Sequence, residues 1–324
     1  MLARKKVGKS DVEISDIILG CWVMGGDYWG GADDEESIMA IHKAIDLGMN
    51  TLDTAEVYNN GYSENIIGRA IKNRVHDVVI STKVAEYNMR HDDVIAACEK
   101  SLKRLCRDYI DIYFLHWPAG SFGGPKASLA ETMGAMEELQ KAGKIRAIGM
   151  SNFNMEEFEE ARKFIQVDIY QPPFNILWRG SEAVFFPYCM NNDIAIISYS
   201  PIAQGILSGK FKLGHVFKEG DSRANTPLFQ SGPLERAITL NEKIKPIADK
   251  YGKTMAQLAI RWVSQFPGVT APIVGGRNTS QVEENAGGAG WILSKEDFDF
   301  IENLSKEYRE QLPNFKHYFD TEII

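Results

Sequence analysis

Eight short apolar runs, each followed by a helical stretch, constrain this chain more than any other feature of its sequence. The runs are Ile17–Cys21, Asn50–Leu52, Val78–Ile80, Ile110–Leu115, Ile145–Met150, Asp168–Tyr170, Ile194–Ile197 and Thr270–Val274. They are rich in β-branched residues and mostly lack strict alternation, as parallel strands buried on both faces do. Between them, apolar residues recur at helical spacing. Ile38, Ile41 and Ile45 share one face, with Asp33 and Glu36 in front as a capping box. Val94, Ala97, Cys98, Ser101, Leu102 and Leu105 form a second stripe, started by Asp92 or Asp93. Met255, Leu258, Ala259, Trp262 and Val263 form a third.

Strand and helix in alternation require a parallel sheet, either open and doubly wound or closed into a barrel. Eight units in 324 residues favour closure, because a (β/α)8 TIM barrel takes about 250 residues. Nothing like a linker divides the chain, so one α/β domain over residues 1–324 is expected. Before the first run, Lys5-Lys6-Val7 and Val12-Glu13-Ile14 flank Gly8-Lys9-Ser10-Asp11, a hairpin signal placed to close the bottom of the barrel. The longest gap between runs, residues 200–269, follows the seventh strand. Its first part, 205–233, is expected to be a lid over a ligand.

The net charge of −8 argues against nucleic acid or an anionic membrane as partner, since both reward excess Lys and Arg. A local basic pocket for phosphate stays open. Cys21, Cys98, Cys106 and Cys189 form no CxxC pair and read as reduced, buried thiols. The N-terminus lacks an apolar signal core, and no apolar run approaches a membrane span. A cytoplasmic protein, monomer or homo-oligomer, is expected.

Barrel active sites sit at the C-terminal ends of the strands. The first distinctive residues there are Trp22, Asp53, Lys83, His116, Ser151-Asn152, Gln171, Tyr199 and Gly275-Gly276-Arg277. Asp53, Lys83 and His116 end consecutive strands, and Tyr58 follows Asp53 in the same loop. A phenol, an ammonium, an imidazole and a carboxylate together make a proton-transfer site. A free tyrosine has a pKa near 10, and an adjacent ammonium should lower it. Ser151, Asn152 and Gln171 suit a carboxamide, and Tyr199 suits stacking on a ring. Gly275-Gly276-Arg277 before a helix suits a phosphate, with Arg277 able to fork onto a 2′-phosphate. No GxGxxG follows the first strand, so the site is not of the Rossmann kind. Only His116 of the six histidines ends a strand, which argues against a metal-dependent hydrolase; no metal is expected.

At these residues the sequence resembles the aldo-keto reductase superfamily, closest to bacterial general-stress and inositol-utilisation-like reductases. The resemblance rests on Asp53-Thr54-Ala55-Glu56-Val57-Tyr58-Asn59-Asn60-Gly61-Tyr62-Ser63-Glu64, Ser81-Thr82-Lys83, Leu115-His116-Trp117-Pro118 and Gly149-Met150-Ser151-Asn152-Phe153, in that order. It implies a barrel that uses NADPH, rather than NADH, to reduce an aldehyde or ketone. Tyr58 would be the acid, Lys83 and Asp53 would tune it, and His116 would orient the carbonyl. Ser151, Asn152, Gln171 and Tyr199 would form the nicotinamide shell. Ser200, Pro201, Gly205, Leu207, Lys210 and Arg223 would hold the pyrophosphate. Gly275, Gly276, Arg277, Gln281, Glu284 and Asn285 would hold the adenosine end. Trp22, Trp117 and Tyr87 would wall the substrate pocket. Two alternatives share these residues: a polyol or sugar-alcohol dehydrogenase working in the oxidative direction, and a cofactor-binding regulatory subunit with weak catalysis.

Overall fold

The computed structural model describes residues 2–24, 33–217 and 221–323. β1 (Arg4–Lys6) and β2 (Glu13–Ser15) pair antiparallel as a hairpin. After them come β3 (Ile18–Gly20), α1 (Asp34–Asp46), β4 (Thr51–Asp53), α2 (Tyr62–Ile71), β5 (Val79–Val84) and α3 (His91–Leu105). β6 (Ile110–Leu115), α4 (Leu129–Lys141), β7 (Ile145–Ser151), α5 (Met155–Ala161), β8 (Ile169–Gln171), α6 (Glu182–Asn192) and β9 (Ala195–Tyr199) follow. α7 (Pro233–Lys250) and α8 (Met255–Gln265) separate β9 from β10 (Ala271–Gly275). The chain ends with α9 (Thr279–Ala286), α10 (Lys295–Arg309) and a hairpin of β11 (Phe315–His317) and β12 (Asp320–Ile323). Strands β3 to β10 close into a parallel barrel, with β10 beside both β3 and β9. All eight apolar runs are its strands, and the open sheet is excluded.

Successive strand residues point to opposite faces. One phase faces the barrel interior: Ile18, Ile112, Phe114, Ala147, Ile169, Ala195, Ile197, Ala271 and Ile273 form a buried cluster with Val7, Val12 and Ile14 of the N-terminal hairpin. Following the same two-residue step toward the strand C-termini reaches Asp53, Lys83, His116, Ser151, Gln171, Tyr199 and Gly275. The polar groups at the mouth are therefore the upper layer of the side-chain stack whose floor is aliphatic. The hairpin closes the bottom, as expected. Gly8 has φ +49°, and a Cβ there would lie 2.4 Å from the carbonyl oxygen of Asp168 and 2.9 Å from that of Asp193. Those carbonyls lie just before β8 and β9, at the N-terminal rim.

The other phase packs outward against the helices. The apolar stripe of α3 is buried as read, but the helix starts earlier than Asp92 or Asp93 would place it. Its N-cap is Arg90, and both aspartates lie in the first turn, where carboxylates favour the free N–H groups. Cys21, Cys98 and Cys189 are buried, whereas Cys106 is exposed at the left-handed end of α3. The segment after β9 is packed. Ile206 and Leu207 are buried, and Asn241 of α7 donates to the Ile206 carbonyl at 2.7 Å. Phe211, His215, Phe217 and Phe229 form a ring cluster in the same segment. Among the described residues, no helix is long and apolar enough to cross a membrane.

Candidate active site

Asp53 of β4 stands opposite Ser81 in register, and Lys83, two residues further along β5 on the same inward phase, meets it at the barrel mouth. Lys83 is fully buried and donates to Asp53 Oδ1 at 2.7 Å and to the Thr54 carbonyl at 2.6 Å. Ser81 and Gln171 both donate to the other carboxylate oxygen, at 2.8 and 3.0 Å. Burial pulls the Lys83 pKa down, but the Asp53 carboxylate and then Tyr58 outweigh it, so the net shift is upward. The lysine is thus a buried ammonium held charged by its partner.

Lys83 Nζ lies 5.2 Å from the centroid of the Tyr58 ring. As expected, the Lys83 ammonium pulls the Tyr58 pKa down, but the net shift is upward. Burial raises it and is the largest effect; the Lys83 charge pulls it down, but not far enough, and Asp53 adds to the rise. Tyr58 therefore stays protonated. His116 meets the same ring edge-on, with centroids 5.8 Å apart. Burial, followed by the Lys83 charge, pushes the His116 pKa well below its usual value, so the imidazole is neutral. Its Nδ1 is buried without a hydrogen-bond partner among the described residues. Asp53, Tyr58, Lys83 and His116 are brought together as the sequence predicted.

The loop carrying Tyr58 is fixed by its own sequence. Asn59, Asn60 and Gly61 are left-handed in succession and turn the chain into α2. A Cβ on Gly61 would lie 2.4 Å from Arg104 Nε. That guanidinium pairs at 2.5 Å with the fully buried Glu64, which also accepts from Thr82 Oγ1 at 2.6 Å. Ser63 bonds to the Cys21 carbonyl and to Thr54, at 2.8 and 2.9 Å. The motif around Tyr58 is thus a brace between β3, β4, β5 and α3.

The expected nicotinamide shell is assembled but internally engaged. Asn152, left-handed at φ 65°, donates to the His116 carbonyl and to Ser151 Oγ, both at 3.0 Å. Its Oδ1 accepts from the Tyr199 hydroxyl at 2.9 Å. Ser151 donates to the Gln171 carbonyl at 2.7 Å. Gln171 belongs as much to the carboxylate as to this shell, through its bond to Asp53.

At the outer end, Lys210, Arg223 and Arg277 converge. Burial and then the charges of Arg223 and Arg277 lower the Lys210 pKa; burial and then Arg223 lower that of Arg277. Asp221, paired with Arg223 at 2.5 Å, also acts on Lys210 and Arg277. Such a cluster has the chemistry of a site for a multiply charged anion. Lys210 rests on Gly205, where an added Cβ would lie 2.6 Å from Nζ. Ser200, before the buried Pro201, is left-handed, and its carbonyl accepts from Asn175 at 3.0 Å. The Leu207 side chain is buried in the hydrophobic core and its amide bonds to the Ile202 carbonyl, so it shapes this loop from behind. Gln281 accepts the Arg277 amide, and Asn285 donates to the Gly275 carbonyl, each at 3.0 Å. Gly276 packs on α9, where a Cβ would lie 2.9 Å from Val282. Glu284 is exposed on the same helix.

Trp22 lies 6.2 Å from Tyr58 between ring centroids, and Trp117 packs on Phe122 at 5.0 Å. Tyr87 is exposed on the rim, its Cβ beside Gly124, rather than against Tyr58. The sequence reading missed the C-terminal hairpin. Phe319 lies parallel to Tyr199 with centroids 6.0 Å apart and meets Trp22 edge-on at 6.4 Å; His317 meets Trp117 at 4.8 Å. Burial lowers the His317 pKa to about 4, so this wall is uncharged there at neutral pH. The available signal was the aromatic density of His317-Tyr318-Phe319.

The sequence matches the profile of the Aldo/keto reductase family over residues 16–306. It is 36% identical over 302 residues to the aldo-keto reductase YhdN of Bacillus subtilis (strain 168), covering 90% of each chain. It is 32% identical to the NADH-specific methylglyoxal reductase of Escherichia coli (strain K12), covering 93% of this chain and 97% of that one. Its fold matches the solved glycerol dehydrogenase AKR11B4 from Gluconobacter oxydans with a TM-score of 0.85, at 30% identity, over 94% of this chain and 95% of that one. A match running through nearly the whole barrel, at these identities, makes the chain a member of the aldo/keto reductase family, oxidoreductases that act on small carbonyl compounds with a nicotinamide cofactor.

Proposed function

We propose that the protein reduces a small aldehyde or ketone with NADPH, with Tyr58 giving the proton to the carbonyl oxygen. The observation that carries this reading is the buried Asp53–Lys83 pair set against a protonated Tyr58, with neutral His116 edge-on to the same ring. NADPH, when bound, supplies the hydride. Burial keeps Tyr58 in its acid form. As its proton leaves, charge develops on the phenol oxygen, beside the Lys83 ammonium that stabilises it. Asp53 keeps Lys83 charged where a lone ammonium would be too costly. His116, being neutral, can donate a hydrogen bond that orients the carbonyl without acting as the proton source. Trp22 and Trp117 wall the carbonyl pocket, and Tyr87 serves only its rim.

Ser151, Asn152, Gln171 and Tyr199 would hold the nicotinamide end. Ser151 and Asn152 have the donors and acceptors a carboxamide needs, at present satisfied by each other and by neighbouring groups. Lys210 and Arg223 would hold the phosphates, under cover of segment 205–233, and Gly275, Gly276, Gln281, Glu284 and Asn285 the adenosine end. Arg277 would read the 2′-phosphate by a forked contact. Replacing it, Arg277→Ala, is expected to weaken NADPH about 10- to 100-fold, the range for one charged hydrogen-bonding partner. NADH should be nearly unaffected. Fluorescence titration with both nucleotides measures this, and equal losses would show that Arg277 does not read the 2′-phosphate. The comparison matters here because one relative is named NADH-specific.

Oxidation of a polyol is the second reading, favoured by the likeness to a glycerol dehydrogenase. It uses the same residues in reverse and needs Tyr58 as phenolate. The upward shift of the Tyr58 pKa makes that form scarce at neutral pH, but one site serves both directions, and the ratio of reduced to oxidised cofactor sets which of them runs. The direct test of hydride transfer uses NADPH deuterated at the nicotinamide C4 and an activated aldehyde. Deuterium is expected on the former carbonyl carbon of the alcohol. Alcohol formed without deuterium from either C4 position would rule out direct transfer.

A further inference from the structure

Glu56 is a buried carboxylate that the proton-transfer scheme leaves without a task. It stands two residues before Tyr58 on the loop after β4. Its backbone N–H donates to the Lys83 carbonyl at 3.2 Å. Its side chain reaches past the end of β5, where Oε1 accepts from the Ala85 N–H at 2.6 Å and from Asn88 Nδ2 at 3.0 Å. Ala85 is fully buried, so its N–H needs that acceptor. One residue thus grips the chain at Lys83 and again two residues beyond it, while carrying Tyr58 two residues away in the other direction. Burial is the largest influence on its pKa and raises it, while the Ala85 and Asn88 hydrogen bonds pull the other way.

The distance between the Lys83 ammonium and the Tyr58 phenol decides how strongly one charge acts on the other. Coulomb energy falls as the inverse of distance and is large at low dielectric. Lys83 is held by Asp53 and Thr54, and the brace through Ser63 and Glu64 fixes the far side of the Tyr58 loop, so the contact that sets its near side against β5 is that of Glu56. From this juxtaposition we infer that Glu56 is a positioning residue, clamping the Tyr58 loop to the end of β5 and so fixing the coupling between Lys83 and Tyr58. The inference rests on the proposed role of Tyr58. Glu56 touches neither reacting group with its side chain and acts through both.

The test compares Glu56→Ala, Glu56→Gln and Asn88→Ala with wild type, reading the pH profile of alcohol oxidation, in which Tyr58 must ionise. Glu56→Ala is expected to loosen the loop, weaken the pull of Lys83 and move the alkaline limb to higher pH. It should lower kcat about 10-fold, with KM and NADPH affinity nearly unchanged. Glu56→Gln keeps a carbonyl acceptor for Ala85 and should recover most of kcat and the wild-type profile. Asn88→Ala leaves the Ala85 bond in place and should shift the limb less than Glu56→Ala. If Glu56→Ala does not fold, the order of the other two decides: a larger shift in Glu56→Gln than in Asn88→Ala would overturn the inference, since it would assign the effect to charge and not to the clamp. A Glu56→Ala enzyme that loses stability but keeps kcat and profile would reduce Glu56 to a purely structural part. Tyr58→Phe run alongside separates the two levels: normal turnover there removes the role of Tyr58 itself, whatever Glu56 does.

Discussion

Tyr58→Phe is expected to lower carbonyl reduction about 10²- to 10⁴-fold, the range for loss of a positioned general acid. NADPH affinity should stay within about twofold of wild type. The substitution removes one hydroxyl and leaves the ring that packs between Trp22 and His116. The loss should fall on kcat, because the proton is given only in the transition state. The pH dependence follows from the same shift. Tyr58 is raised above its usual value, so reduction, which needs the acid, should hold level through neutral pH and decline only above about pH 10. Oxidation, which needs the phenolate, should rise as pH increases over that range. His116 is lowered and already neutral, so it adds no limb at neutral pH. A Tyr58→Phe enzyme with near-normal kcat would remove the phenol from the mechanism.

Lys83→Met should damage both fold and function. Methionine matches the length of the stem but leaves the Asp53 carboxylate without its ion partner. Ser81 and Gln171 would still donate to one oxygen, but the oxygen 2.7 Å from Lys83 would lose its donor. Breaking a buried pair on one side typically costs about 3–5 kcal/mol, and urea unfolding should register a loss of about that size. Turnover should also fall steeply, because no ammonium remains to stabilise the developing phenolate. Loss of the charge that pulls Tyr58 down should move the alkaline limb of oxidation further up. A variant as stable as wild type would mean that the pair is not the buried ion pair described.

Much of this was legible because barrel strands obey a period of two. The same inward phase that buries Ile112 and Phe114 delivers His116, and the one that buries Ile169 delivers Gln171. Recognising the runs was therefore enough to place Asp53, Lys83 and His116 at one mouth, and the motif around Tyr58 supplied the fourth member. Less legible were effects that depend on packing in three dimensions. The sign of the Tyr58 shift is a contest between burial and Asp53 on one side and Lys83 on the other, and sequence spacing gives the charges but not the burial. The start of α3 moved because Asp92 and Asp93 can serve a helix in its first turn as well as at its cap. Cys106 sits in a helical stripe region but is exposed because the chain turns left-handed there. The C-terminal hairpin carries no periodic signal, and only the folded chain places Phe319 beside Tyr199, far away in sequence.

Catalysis of carbonyl reduction is read straight from wild-type turnover. NADPH oxidation should be followed with an activated aromatic aldehyde, beside NADPH binding measured on the same preparation. Tight binding is expected together with sustained, aldehyde-dependent oxidation and stoichiometric alcohol. Tight binding with no turnover of any aldehyde or ketone would contradict it and would leave the barrel a nucleotide-binding subunit.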